Sequence, residues 1–260
     1  MSRILFLLLT TFTSLCYGET LLLGATSTTV NSGLMDYLLP YYTEETGHEV
    51  KIITGGTGFI LQQLERGDIE IAITHQQEME ENLLKKFPEG KRQTFMYNHF
   101  ILLGPANDPA QVAAKHSFAE TLAAIARQKS SFISRGDMSG SHVFELELWQ
   151  ANNISVSDRQ RTWYIEAGQD MGPTINMANS MQAYMIADEG TWLAYSQRSN
   201  LKVLYVGKKE GKNDYSLIQL QNSAELPQTA VDFSNWLLKE NTLTLIDQYR
   251  INGQKGFWTE

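Results

Sequence analysis

Three times in this sequence a short apolar run ends in a turn of glycines and hydroxyl residues, and a helical pattern starts directly after it. The runs are TLLLGAT (residues 20–26), EVKIITG (49–55) and SFISR (131–135). The turns hold ATSTTVNSG (25–33), TGGTG (54–58) and SRGDMSGS (134–141). Strand, turn, helix and strand again is the order of an α/β fold in which helices cross over between parallel strands. It also limits where a ligand can sit, because open α/β sheets bind ligands beyond the carboxyl ends of their strands.

The pattern extends along the chain. IEIAITH (69–75) reads as a third strand, so the first third is βαβαβα and predicts a parallel sheet with helices on both faces. The first long helix puts Leu34, Leu38 and either Tyr41 or Tyr42 on one face, and Pro40 inside it is expected to kink or shorten it. The next, Gly58 to Arg66, uses Ile60, Leu61 and Leu64 and closes at Gly67. EMEENLLKKF (78–87) is a helix with Glu78, Glu80 and Glu81 on a solvated face. TFMYNHFILLGP (94–105) is longer than an ordinary strand and is expected to cross from one domain to another. Helices at 117–129 and about 141–151 follow, then a strand at 161–168 and two helical stretches across Met177 to Gln197. LKVLYVG (201–207) is a strand suited to a return crossing, YSLIQLQ (215–221) is another, and one or two helices close the chain over 229–251. The expected layout is two α/β lobes joined near residues 98–104 and 201–207. Lobe I takes 19–100 plus 206–260, and lobe II takes 101–205.

The start, MSRILFLLLTTFTSLCYGE, has a basic Arg3, an apolar core from Ile4 to Leu9, and Cys16 and Gly18 as small residues before a cut at Glu19. This is a secretory signal peptide over residues 1–18. Leu15 stands where a lipid-anchoring signal needs a small residue before Cys16. Cleavage removes the only cysteine, and with it any disulfide, thiol nucleophile or cysteine metal ligand. No later run is long enough to span a bilayer, so the expected product is exported to a periplasm and not membrane-embedded. The net charge of −8 comes with no basic cluster, which argues against nucleic acid. An anion site in such a chain has to be built from local donors.

The three turns offer such donors. Helix starts carry unpaired N–H groups and the positive end of the dipole, glycines allow close backbone approach, and Ser and Thr add hydroxyls. One such turn is an ordinary N-cap. Three in one chain, the last with Arg135, shift the balance toward a site. Arg135 reads either as half of a surface ion pair with Asp137 or as a charge-assisted donor to an oxyanion, with Asp137 orienting it or capping the next helix.

Enzyme readings are weaker. A nucleophile elbow needs G-x-S-x-G, and Ser139 falls one position late, with His142 three residues on. GGTG lacks the lysine of a P-loop. The histidines (His48, His75, His99, His116, His142) show no ligand spacing, so neither a metal site nor a cofactor is expected. His75 and His99 lie where they would touch a ligand but read more simply as structural. Arg135-Gly136-Asp137 has nothing beside it to suggest an adhesion signal. Trp163 and Tyr164 read as packing, and Met171, Met177, Met181 and Met185 as core.

Four blocks together resemble a known family: ATSTTVNSGLMDYLLPYYTEETGHEVKIITGGTG, MYNHFILLGPANDPA, FISRGDMSGSHVFELELW and WYIEAGQDMGPTINMANSMQAYMIADEGTWL. They are similar to the TupA-type tungstate-binding proteins of bacterial tungstate ABC importers, from about Thr20 to Leu193 and more weakly afterwards. The resemblance implies a type II periplasmic-binding-protein fold, two lobes closing over one oxyanion. It implies capture of tungstate or molybdate and delivery to an inner-membrane permease with its ATPase, and the chain is expected to act as a monomer. The family's ligand turns fall on Thr26, Ser27, Thr28 and Thr29 with Ser32, on Gly56, Thr57 and Gly58, and on Ser134, Arg135, Ser139, Gly140 and Ser141. The chain departs from the family at His99, where an aspartate is usual, at Asp170, where a glycine is usual, and in the order of the first turn. Asp170 would repel an anion if it faces the cleft. Another oxyanion, phosphate or sulfate, on the same scaffold is the alternative, followed by a secreted hydrolase using Ser139 and His142 and by a receptor for a signalling partner.

Overall fold

The computed structural model describes residues 19–156, 162–195, 200–221 and 225–260. The expected signal peptide lies outside them.

Strand β1 (Thr20–Thr26) buries Leu21, Leu23 and Ala25 and pairs in parallel with β2 (Glu49–Gly55) on one side and β3 (Ile71–Thr74) on the other. Between these strands run α1 (Ser27–Asn31), α2 (Leu34–Thr46) and α3 (Thr57–Arg66), with α4 (Gln77–Leu84) after β3. Leu34, Met35, Leu38 and Tyr42 of α2 pack on one face of the sheet, while Ile60, Leu61 and Leu64 of α3 and Leu83 of α4 pack on the other. Helices thus cover both faces, as the alternation predicts. Helix α2 runs its full 13 residues through Pro40, so the expected shortening does not occur. Pro40 lies on the exposed face.

The sheet is mixed, not parallel throughout. β9 (Lys212–Gln219) joins β3 antiparallel, β4 (Lys91–Gly104) joins β9 antiparallel, and β10 (Trp258–Thr259) closes the edge, giving the order β10-β4-β9-β3-β1-β2. β4 is the long extended element expected from its length. Its first half pairs with β9, and its second half pairs with β7 (Met185–Asp188) and β8 (Lys202–Val206). The two halves meet at Phe100. There the main chain donates to the Gly211 carbonyl at 2.7 Å and accepts from the Gly207 N–H at 3.1 Å. A Cβ on Gly207 would fall 2.3 Å from the Phe118 ring, so only glycine lets the returning chain pass this close.

Beyond the crossing, α5 (Phe118–Gln128), β5 (Phe132–Ser134), α6 (Gly140–Ala151), β6 (Tyr164–Glu166) and α7 (Met171–Met181) surround β7, followed by α8 (Glu189–Tyr195). β5 and β6 pair in parallel, and Phe132 bridges to Tyr184 just before β7. Phe118, Leu122, Phe132, Trp149, Trp163 and Tyr164 form the core on this side, which bears out the packing role of Trp163 and Tyr164. The two helical stretches expected across Met177 to Gln197 need correction. Helix α7 starts six residues earlier, at Met171, and strand β7 intervenes before α8. Met185 is accordingly a strand residue, and Met181 is exposed. α9 (Gln228–Leu237) and α10 (Glu240–Gln248) return to the first sheet.

Glu80 also overturns its reading. It is fully buried, accepting from the Thr74 hydroxyl and the Gln76 N–H at 2.8 Å each and pairing with Arg92 at 2.7 Å. Arg92 lies 12 residues away on β4, so nothing local announced the pair.

Candidate functional site

The first two turns emerge side by side, because β1 and β2 are in register from Thr20 opposite Glu49 to Thr26 opposite Gly55. Thr26 and Gly56 take extended N-cap conformations at the starts of α1 and α3, and neither helix start has a side-chain cap. The N–H groups of their first turns are therefore left for something else. Helices α4 and α5 contrast with this: the Gln76 and Ser117 side chains accept from Met79 and Glu120 N–H.

The third turn follows β5. Gly136 has φ +64°, and a Cβ there would lie 2.7 Å from the Glu166 side chain, so glycine is required twice over. Arg135 is only 6% exposed. Its Nη2 donates to Asp137 Oδ2 at 2.5 Å and to Asp170 Oδ1 at 3.1 Å, and Nη1 reaches Ser141 Oγ at 3.4 Å. Asp137 also accepts from the Ser139 N–H at 3.1 Å and the Ser139 hydroxyl at 2.6 Å. It thus orients the guanidinium and fixes the residue preceding α6. Asp170, at the start of α7, additionally accepts from the Ser27 hydroxyl at 3.4 Å. The chain Arg135–Asp170–Ser27 ties the third turn to the first.

Each turn holds one buried polar atom with no hydrogen-bond partner among the described residues: Thr26 Oγ1, Thr57 Oγ1 and Arg135 Nε. Thr26 and Thr57 are each 1% exposed. An unsatisfied buried polar group costs about 1–3 kcal/mol, so folded proteins rarely keep one without a reason. Of seven such atoms among the described residues, these three fall at one confluence of helix starts and form a set of donors suited to a compact anion.

The remaining expected site residues divide by what their hydroxyls and backbone already do. Ser139 and Ser141 lie 3.3 Å apart beside the guanidinium. Gly56 and Gly58 frame Thr57 at the start of α3, and Gly140 opens α6 against the His75 ring. Thr28 donates to Asp188 Oδ2 at 3.4 Å. Thr29 and Ser32 donate to the carbonyls of Thr26 and Thr29 at 2.8 and 3.1 Å, so their protons are committed inside the turn. The Ser134 hydroxyl accepts from the Gly136 N–H at 3.3 Å.

Beneath the turns lies a polar layer of which the sequence marks only His75. Asp188 is buried beside Thr28, the Thr191 N–H (2.8 Å) and Asn98 (3.4 Å). Burial raises its pKa, opposed by its bond from Thr191 and by Arg135. Asn213 links Asn98 (2.8 Å) to His75 Nδ1 (3.0 Å). Burial lowers the His75 pKa to about 4, against the Asn213 bond and with help from Arg135. His75 is therefore neutral near pH 7. His99 pairs with Glu189 at 3.1 Å and packs on Tyr97 and Trp258, and among the described residues it makes no hydrogen bond to the three turns. The hydrolase pair is not assembled. The Ser139 hydroxyl donates to Asp137, and His142 Nδ1 accepts from the Met138 N–H at 3.0 Å.

A family model described as a PBP superfamily domain matches residues 17–237. The tungstate-binding protein TupA of Peptoclostridium acidaminophilum is 37% identical over 234 residues, 88% of this chain and 81% of that protein. TupA of Campylobacter jejuni is 30% identical over 86% of this chain and 84% of its own length. The solved tungstate-binding TupA of Desulfovibrio alaskensis superposes with a TM-score of 0.80 at 33% identity, covering 94% of this chain and 99% of that one. This chain belongs to the TupA family of the PBP superfamily. The two-lobed TupA fold accounts for a sheet strand shared at Phe100 and for turns that converge from both sides of that crossing. In this TupA-family chain Asp170 does face the converging turns, and its carboxylate lies on the arginine itself.

Among the described residues no helix is long and apolar enough to cross a membrane.

Proposed function

We propose that this protein is an exported, non-catalytic oxyanion receptor that captures tungstate, and molybdate with it, and delivers the ion to an inner-membrane ABC permease and its ATPase. In this reading residues 1–18 are a cleaved signal peptide, lobe I is 19–100 plus 206–260, lobe II is 101–205, and the mature protein acts as a monomer. Arg135 supplies charge. Thr26, Ser27, Thr57 and Ser141 supply hydroxyls, Ser139 is held by Asp137 as the residue that opens α6, and the starts of α1, α3 and α6 supply N–H groups. The observation that carries the reading is the set of three buried, unpartnered polar atoms, one from each turn. The relatives named for tungstate binding support the choice of ion.

Six hydrogen bonds to a charged ligand contribute a gross ~9–18 kcal/mol at about 1.5–3 each, and nanomolar binding needs about 12 net. Such a site reaches useful affinity only if its donors are held in place beforehand, since association itself is costly. The bonds of Asp137 to Arg135 and Ser139 do that here. Calorimetric titration with tungstate, molybdate, sulfate and phosphate tests the assignment. Heat with the first two at nanomolar to micromolar concentration is expected, and silence with both removes the ion assignment. A preference for phosphate would instead point to Asp137 or Asp170 accepting that ion's proton.

A further inference from the structure

Asp170 sits in an unusual way. It is the N-cap of α7, and an N-cap aspartate ordinarily accepts from the second or third amide of its own helix. The third position here is Pro173, which has no N–H, leaving only Gly172. The Asp170 side chain makes no cap bond. It turns outward and places Oδ1 3.1 Å from Arg135 Nη2 and 3.4 Å from Ser27 Oγ. A carboxylate oxygen thereby touches two of the donors that an oxyanion oxygen would use.

Arg135 consequently carries two carboxylates on one nitrogen. They are not equivalent. Asp137 is 23% exposed and also holds both the N–H and the hydroxyl of Ser139. Asp170 is 54% exposed, and its two contacts are both longer than the 2.5 Å between Asp137 and the arginine. Its backbone is held independently, since its carbonyl accepts from the Thr174 N–H at 3.0 Å and the Thr174 hydroxyl at 2.9 Å. A side-chain rotation alone would release it.

We propose that Asp170 is a tethered competitor of the ligand. In the empty protein its carboxylate stands in for an oxyanion oxygen on Arg135 and Ser27 and latches the start of α7 to the start of α1. The arriving dianion displaces it, and the carboxylate swings back to accept the Gly172 N–H as an ordinary cap. Asp170 then lowers affinity and speeds release, so it tunes a site otherwise built to hold its ion tightly. This inference rests on the oxyanion reading of the site.

The test uses Asp170→Asn, which keeps the shape and the capping group, and Asp170→Ser, which caps but does not reach the arginine. Both are titrated with sodium tungstate beside the wild type, and the ligand-free proteins are compared by small-angle scattering. Both variants are expected to bind tungstate at least tenfold more tightly and to be more open without ligand. Affinity within threefold of wild type, or weaker, overturns the proposal while leaving the tungstate assignment intact. If the wild type binds no oxyanion, the assignment fails by itself, and the scattering still decides the latch: an unchanged radius of gyration in both variants overturns it.

Discussion

Arg135→Ala is the most informative single change. The guanidinium is almost fully buried, and its Nε has no partner among the described residues. Removing it deletes one charge-assisted bond to the ligand, about 1.5–3 kcal/mol. It also leaves Asp137 and Asp170 without their cation, facing an incoming dianion. Two unit charges about 5 Å apart at an effective dielectric near 20 interact by roughly 3 kcal/mol. Solvent screens part of this, because Asp170 is more than half exposed. A net loss of about 3 kcal/mol, or roughly 150-fold in tungstate affinity, is the expectation. Arg135→Lys keeps the charge but loses the planar fork that spans Asp137, Asp170 and Ser141. It should cost about 1 kcal/mol, roughly fivefold. Isothermal titration measures both, with thermal unfolding run beside it. If Arg135→Ala binds within threefold of wild type while its melting temperature falls, the arginine is only a structural ion pair and not a ligand donor.

The unpartnered hydroxyls make a second prediction. Thr57→Val and Thr26→Val remove buried polar atoms that bond nothing in the described structure, so melting temperature should hold or rise while tungstate affinity falls about tenfold, or 1.4 kcal/mol. Lower stability with unchanged affinity would show the hydroxyls to be structural. His75 predicts an acid-side effect. Its folded pKa is depressed to about 4, so the stability it confers is fully present above the ordinary histidine pKa of about 6.5 and is lost as pH falls through 4. The loss is roughly 3 kcal/mol, and denaturant titrations of wild type and His75→Asn at pH 7 and pH 4 measure it; equal pH slopes refute it. Glu145 predicts the opposite. Burial raises its pKa to about 7, against bonds from Tyr164, Ser134 and Trp149, so its contribution is fully present below the ordinary glutamate range and is lost as pH rises through 7. Glu145→Gln, still able to accept from Tyr164 and Trp149, should raise the melting temperature by several degrees at pH 8.5 and hardly at pH 5. No difference between the two pH values would show that Glu145 is not held protonated.

The elements were legible wherever a local signal existed. Apolar runs, glycine stops and turn residues marked β1, α3, β5 and α6 to within about a residue or two, and the length of β4 announced a crossing. The three turns were legible as well, because capping and anion binding draw on the same residue types. Partners distant in sequence were not. Glu80 looked like one charge on a wet helix face until Arg92 came across from β4. The four residues of β7 passed as helix because a short, fully buried strand has no alternation to show. The antiparallel placement of β9 and β4 depends on strand pairing that no periodicity encodes.

By itself, then, the sequence determined an α/β chain and the chemistry of each turn, since periodicity and donor type are local properties. Tertiary structure decided how those donors meet. Thr26 comes beside Thr57's turn through the register of β1 with β2, and Arg135 comes within reach of Ser27 through Asp170, 35 residues further along. It also decided which hydroxyls remain free. Thr29 and Ser32 turn inward to main-chain carbonyls, whereas Thr26 and Thr57 are buried without a partner among the described residues. The five hydroxyls of the first turn look alike in one dimension, and only packing separates those that complete the turn from Thr26, which it leaves unpartnered among the described residues.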